Sequence, residues 1–91
     1  MYFEWDPVKA QRNDRKHEVS FNLAASVFLD PLALTFPDPE HSYGEARFIT
    51  IGFGGDSNLL IVSHLEVNEE TIRIISARQA TTRERRDYEE L

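Results

Sequence analysis

Apolar and polar positions alternate through Met1-Tyr2-Phe3-Glu4-Trp5, a short aromatic run that predicts a strand. Asp6-Pro7 then reads as a helix start, with Asp6 as N-cap and Pro7 at the first helical position, where its missing N–H is harmless. That helix runs to about His17 and is nearly all polar. Ser20 caps a second helix, and Val19 can staple onto Ala24. Phe21, Ala24, Ala25 and Phe28 recur at the spacing of one buried stripe. Asp30-Pro31 ends it, because the residue before proline avoids the helical region.

Beyond that point the period shortens. Leu32 to Phe36 predicts a short strand, and Pro37-Asp38-Pro39-Glu40 a loop. Arg47–Phe53, Leu59–Glu66 and Thr71–Gln79 predict three more strands. Gly54-Gly55-Asp56-Ser57-Asn58 joins the first two of these and Asn68-Glu69-Glu70 the next pair. Gly52, Gly54 and Gly55 fall between strands and read as turn chemistry. Thr81-Thr82-Arg83-Glu84 has the form of a capping box, so a last helix runs from about Thr82 to the end. The order is β-α-α-β-β-β-β-α, a small α+β domain over residues 1–91. Strands joined by tight turns pair antiparallel, so the expectation is an antiparallel sheet with the helices packed on one face.

Composition removes several functions. With no cysteine there is no disulfide scaffold, thiolate metal site or thiol nucleophile. No apolar run approaches a membrane span, and the N-terminal residues lack a signal-peptide pattern, so a cytoplasmic location without membrane contact is expected. Walker, H-E-x-x-H and G-x-S-x-G motifs are missing. Asp38, Glu40 and His41 could in principle hold a cation, but they read as solvated loop residues, and neither a metal nor another cofactor is expected. The net charge of −6 argues against promiscuous polyanion binding. It leaves room for a focused basic site, since Lys9, Arg12, Arg15 and Lys16 face Asp14 alone between positions 9 and 17.

Within that segment Lys9, Asn13, Lys16 and His17 share one helical face, where they could grip a phosphate or form a solvated stripe. The His17 imidazole is the residue type suited to proton transfer near neutrality. Trp5 could stack on a base or pack in the core. Strand alternation puts Leu60, Val62 and His64 on one face, and Ile72, Ile74, Ser76 and Arg78 on one face of the next strand, with Arg73 opposite to Arg78. Arg47 opens its own strand. An arginine here either pairs with an acid such as Glu66 or Glu84 as a strut, or converges with others on a phosphate. Tyr88 on the last helix either packs or touches a substrate or partner.

Several blocks together resemble the BrnT toxin family. Phe3-Glu4-Trp5-Asp6-Pro7 with Lys9, Asn13, Lys16-His17, Val19-Ser20-Phe21 and Ala24-Ala25 resemble its opening. Asp30-Pro31 through Asp38-Pro39-Glu40-His41 to Glu45-x-Arg47 resemble its middle. Arg73-Ile74-Ile75-Ser76-Ala77-Arg78-x-Ala80-Thr81-x-x-Glu84-Arg85-x-x-Tyr88 resembles its end, so the likeness runs through essentially the whole chain in order. Two positions depart: Val67 stands where the family often has arginine, and Glu18 where a glycine commonly follows the first histidine.

The resemblance implies a RelE-like fold and a toxin of a type II toxin–antitoxin pair that cleaves RNA without a metal and inhibits translation. It also implies a BrnA-like antitoxin with a ribbon-helix-helix part. DNA is then met only through that antitoxin, in a complex that could be a heterotetramer. On this reading Arg47 and Arg78 neutralise the phosphate, His17 or His64 moves the proton with Glu66 as orienter, and Lys9, Asn13, Lys16, Trp5 and Tyr88 hold substrate. The alternative is a catalytically degenerate binding module that docks a partner without cleaving RNA.

Overall fold

A computed structural model describes residues 1–91. Its elements follow in the predicted order: β1 (Tyr2–Glu4), α1 (Pro7–His17), α2 (Phe21–Ser26), β2 (Leu34–Pro37), β3 (Arg47–Phe53), β4 (Leu59–Glu66), β5 (Thr71–Gln79) and α3 (Thr82–Glu89). Short 3-10 turns at Val27–Leu29 and Pro39–His41 are the additions. Each predicted cap is made. Asp6 accepts from the Val8 and Lys9 amides, Ser20 from the Leu23 amide, and Thr81 and Glu84 bond reciprocally. No helix is long and apolar enough to cross a membrane.

The five strands form one sheet in the order β1-β5-β4-β3-β2. Here the α+β expectation holds while two of its details change. Strands β2 to β5 pair antiparallel, as their turns require, but β1 pairs parallel to β5, Tyr2 opposite Thr71 and Glu4 opposite Arg73. No tight turn links β1 to another strand; it reaches its neighbour through helices, so nothing forces it antiparallel. The helices also divide between faces. Helices α1 and α2 cover the main core, in which Phe21, Ala24 and Val27 meet Leu60, Val62 and Ile74. Helix α3 lies over the other face, where Tyr88 packs edge-on against Phe53 and the Arg85 guanidinium sits 5.8 Å above the same ring.

A register shift in the β4–β5 ladder decides which side chains of β5 share a face. Ser63 faces Ser76 and His64 faces Ile74, which leaves Ile75 without an opposite residue. Strict alternation fails across that bulge. Ile72, Ile74 and Ala77 point into the core, whereas Ser76 and Arg78 share the opposite face with Ile61 and Ser63. Arg73 therefore lies on the same side as Arg78, not opposite to it, and ends in an ion pair with Glu4 at 2.9 Å. Gly52 also proves to be a packing residue inside β3 rather than a turn residue. A Cβ there would lie 2.8 Å from the Ala33 side chain and 3.0 Å from that of Val27.

Candidate active site

Strand β1 is three residues long and covers only the first part of the β5 edge. Beyond it, Asn13 of α1 takes the place of a neighbouring strand. Its Oδ1 accepts from the Ala77 amide at 3.0 Å, and its Nδ2 donates to the Ala77 carbonyl at 2.8 Å and to the Val19 carbonyl at 3.0 Å. Asn13 is buried and spends its amide on the backbone, so it positions α1 and has little left for a substrate. Pinning α1 there brings its last residues, Lys16 and His17, round the sheet edge toward the face that carries Arg78.

On that face lies a cleft of about 480 Å³. Lys16 and His17 form one wall, Asp38 and His41 of the 3-10 turn another, and Arg47, Ser63, Ser76 and Arg78 rise from the sheet between them. Asp38, and the Glu84 that pairs with Arg78, stand against three permanent cations and two imidazoles, so the cleft is cationic on balance in a chain that carries −6 overall. A second depression of about 330 Å³ shares Lys16, His17, Ile75 and Ser76 with the cleft and continues it along α1 to Lys9 and Arg12. The bulge at Ile75 lies where the two meet, and it is what aims Arg78 into the cleft rather than the core.

The individual groups differ in how much bonding capacity they have left. Arg47 is held by its backbone: its amide donates to Ser42 Oγ and its carbonyl accepts from the Asp38 amide. Its Nη2 makes a loose contact with Glu45 at 3.7 Å, and its buried Nε has no partner. Arg78, by contrast, already grips both carboxylate oxygens of Glu84, at 2.7 and 2.9 Å. That pair raises the Arg78 pKa and drives Glu84 down to about 2. Across the cleft, His41 Nδ1 donates to Asp38 Oδ2 at 2.8 Å, which fixes the ring and leaves Nε2 as its free nitrogen. Sequence reasoning set Asp38 and His41 aside as solvated. The available signal was their spacing, since three residues on a turn put carboxylate and imidazole on one side.

Other expected site residues lie elsewhere. His64 is fully buried on the core face, stacked on Phe48 and edge-on to Phe28, with Nε2 2.7 Å from Thr50 Oγ1. Burial lowers its pKa to about 4. Its buried Nδ1 has no partner. His64 is thus a core residue on the opposite side of the sheet from Arg47 and Arg78, and Glu66, exposed at the end of β4, makes no bond to it. Trp5 packs edge-on against Phe21 as part of the core margin. Tyr88 donates to the Leu32 carbonyl at 2.9 Å and anchors α3.

The chain matches, over residues 5–84, the family described as the ribonuclease toxin BrnT of type II toxin–antitoxin systems. It belongs to the BrnT family. The matched span includes every residue of the cleft and its Glu84 strut. Among solved structures, the 1.1 Å crystal structure of the Brucella abortus ribonuclease toxin BrnT superposes with a TM-score of 0.72. That protein is 30% identical, and the match covers 90% of this chain and 99% of the other. No curated protein matches the chain. Membership of a type II toxin–antitoxin family implies an antitoxin partner.

Glu18, one of the two departures from the family pattern, has a structural consequence. It caps the C-terminus of α1 at φ 57°, the left-handed region, with its amide on the Asp14 carbonyl. A glycine adopts that conformation freely and a glutamate does so at some cost, so the departure bears on helix termination next to His17.

Proposed function

We propose that this BrnT-family chain is a metal-independent endoribonuclease that cuts single-stranded RNA in the cleft between α1, the Pro39–His41 turn and the sheet. The observation carrying this reading is the convergence of Lys16, His17, His41, Arg47 and Arg78 on one concave surface with a single carboxylate, Asp38, among them. Such a donor set suits a phosphodiester that gains negative charge as it reacts, and it is a poor cage for a divalent cation, which needs several oxygen ligands.

In the proposed reaction the ribose 2′-hydroxyl attacks the adjacent phosphorus and the bond to the 5′-oxygen breaks. The products are a 2′,3′-cyclic phosphate and a 5′-hydroxyl. His41, oriented by Asp38, takes the 2′ proton through Nε2, and His17 on the facing wall protonates the leaving oxygen. Arg47 supplies unspent N–H donors to the equatorial oxygens, with Arg78 and Lys16 beside it; such donors are each worth about 2.7–4 kcal/mol in a shielded site. Lys9 and Arg12 continue the cationic surface along α1 and hold the flanking backbone. RNA cleavage of this kind stops translation in the cytoplasm. A BrnA-like ribbon-helix-helix antitoxin neutralises it and supplies the only contact with DNA, in a heterotetramer.

The bidentate Arg78–Glu84 pair favours one rival, a degenerate module that binds its partner without cleaving, because the arginine is already neutralised. Incubating the antitoxin-free protein with end-labelled RNA in excess EDTA separates the two. Fragments ending in 2′,3′-cyclic phosphate are expected; intact RNA with folded protein selects the binding module.

A further inference from the structure

Ile49 and Ile61 line the cationic cleft and also a second depression, a mostly apolar groove of about 260 Å³ between β2 and α3. Strand register joins the two. Phe36, Ile49, Ser63 and Ser76 are successive cross-strand partners, so one row of side chains runs from the β2 edge to the floor of the cleft. Along β3, Arg47 and Ile49 are two residues apart on one face, about 7 Å. A phosphate held at Arg47 therefore has the groove within reach of its own nucleotide. Of the six phenylalanines, five pack against another ring: Phe3 with Phe28, Phe21 with Trp5, Phe48 with His64 and Phe53 with Tyr88. Phe36 is the sixth. It lines the groove, 47% exposed, and no ring covers it.

We propose that the groove is a nucleobase subsite, in which the base of a nucleotide flanking the phosphate in the cleft stacks on Phe36 and covers Ile49 and Ile61. This rests on the reading of the cleft as an RNA phosphate site. Size and charge both favour a base here. Drug-sized ligands take pockets of about 300–1,000 Å³, so this smaller groove suits a single planar ring system. Glu84 and Asp87 also line it. Glu84 stands at the junction with the cleft and is spent on Arg78 and the Thr81 amide. Asp87 is exposed on α3. Two carboxylates repel a phosphate, so the backbone keeps to the cations of the cleft and an uncharged base takes the groove. Asp87 also reads the edge of that base. Adenine, cytosine and guanine each offer an exocyclic amine to a carboxylate, whereas uracil flanks its one N–H with carbonyl oxygens, which a carboxylate repels. The subsite therefore disfavours uridine.

The test measures binding by fluorescence anisotropy on a short single strand with 2′-fluoro sugars, which lacks the attacking hydroxyl and is not cut. The same strand with abasic residues is the second probe. Phe36→Ala replaces an exposed side chain, and circular dichroism checks that it folds. It weakens binding of the base-bearing strand about 10-fold and leaves the abasic strand unaffected, while Phe36→Tyr binds both as the wild type does. The wild type binds oligocytidine about 5-fold more tightly than oligouridine, and Asp87→Asn removes that preference. Wild-type affinity of Phe36→Ala for the base-bearing strand overturns the proposal, and so does an equal loss on both probes. A Phe36→Ala protein altered only in antitoxin binding or self-association makes the groove a protein contact and overturns it too. An equal affinity for oligocytidine and oligouridine in the wild type overturns the role of Asp87. Failure of the wild type to bind either probe removes the cleft as a phosphate site and the subsite with it. Should the free protein bind both probes in the expected pattern yet leave ordinary RNA intact, the proposed enzymatic function fails and the subsite stands.

Discussion

The two faces of the sheet use the same residue types for opposite purposes. On the core face His64 is enclosed by Phe28 and Phe48, bonded to Thr50 and held neutral by burial. On the other face His41 is open to the cleft and oriented by Asp38, with His17 across from it and arginines between. A histidine's chemistry therefore depends on which side of one strand it occupies. In β5 that side is set by a single bulged residue, Ile75. Without the bulge, Ser76 and Arg78 would face the core with Ile72 and Ile74, where an unpaired guanidinium is strongly disfavoured.

The strongest way to break this comparison acts on the cleft face. Arg78→Ala should abolish cleavage, a loss of about 10²–10³-fold or more in kcat measured on defined RNA, while the core remains folded. Because that substitution also frees Glu84, Glu84→Gln is the sharpening control. It removes the charge from the strut and keeps Arg78. Retained activity in Glu84→Gln assigns the loss to the arginine itself, and an equal loss assigns it to the strut.

Asn13→Ala attacks the link between the faces. It deprives the Ala77 and Val19 backbone groups of their buried partner, so a stability loss of about 2–4 kcal/mol is expected in urea titrations. A drop in activity should accompany it, because α1 then no longer presents Lys16 and His17 at a fixed place.

The core histidine gives a prediction in pH. Its folded pKa, about 4, lies below the ordinary 6.5, so between these values the unfolded chain binds a proton that the folded chain does not. The stability it permits is complete above pH 6.5 and is lost as pH falls toward 4, up to about 3 kcal/mol in all. Urea midpoints of the wild type should fall across that window, and those of His64→Gln should fall less. An unchanged slope would place His64 in water rather than in the core. The smallest effect is at Glu18. Glu18→Gly relieves the left-handed cap and should raise stability by about 1 kcal/mol with the cleavage rate unaltered.

Local physics was sufficient for much of this molecule. Asp6, Ser20 and Thr81–Glu84 cap helices because their side chains satisfy amides two or three residues away, and that chemistry needs no tertiary context. The antiparallel run from β2 to β5 follows in the same way from short connections, and Arg47, Lys16, His17 and Arg78 could be picked out as residues able to hold a phosphate. The sequence by itself thus determined the elements, the α+β class and most of the cations. Tertiary structure alone decided where they meet. The parallel β1, the division of helices between faces and the Asn13 splice to β5 depend on contacts far apart in the chain. A bulge breaks the period-two rule that any sequence reading must use, so Arg78 changed face and His64 stayed in the core. Asp38 and His41 acquired meaning only once folding set them opposite Lys16, because an imidazole in a loop has no chemical role until its neighbours are fixed.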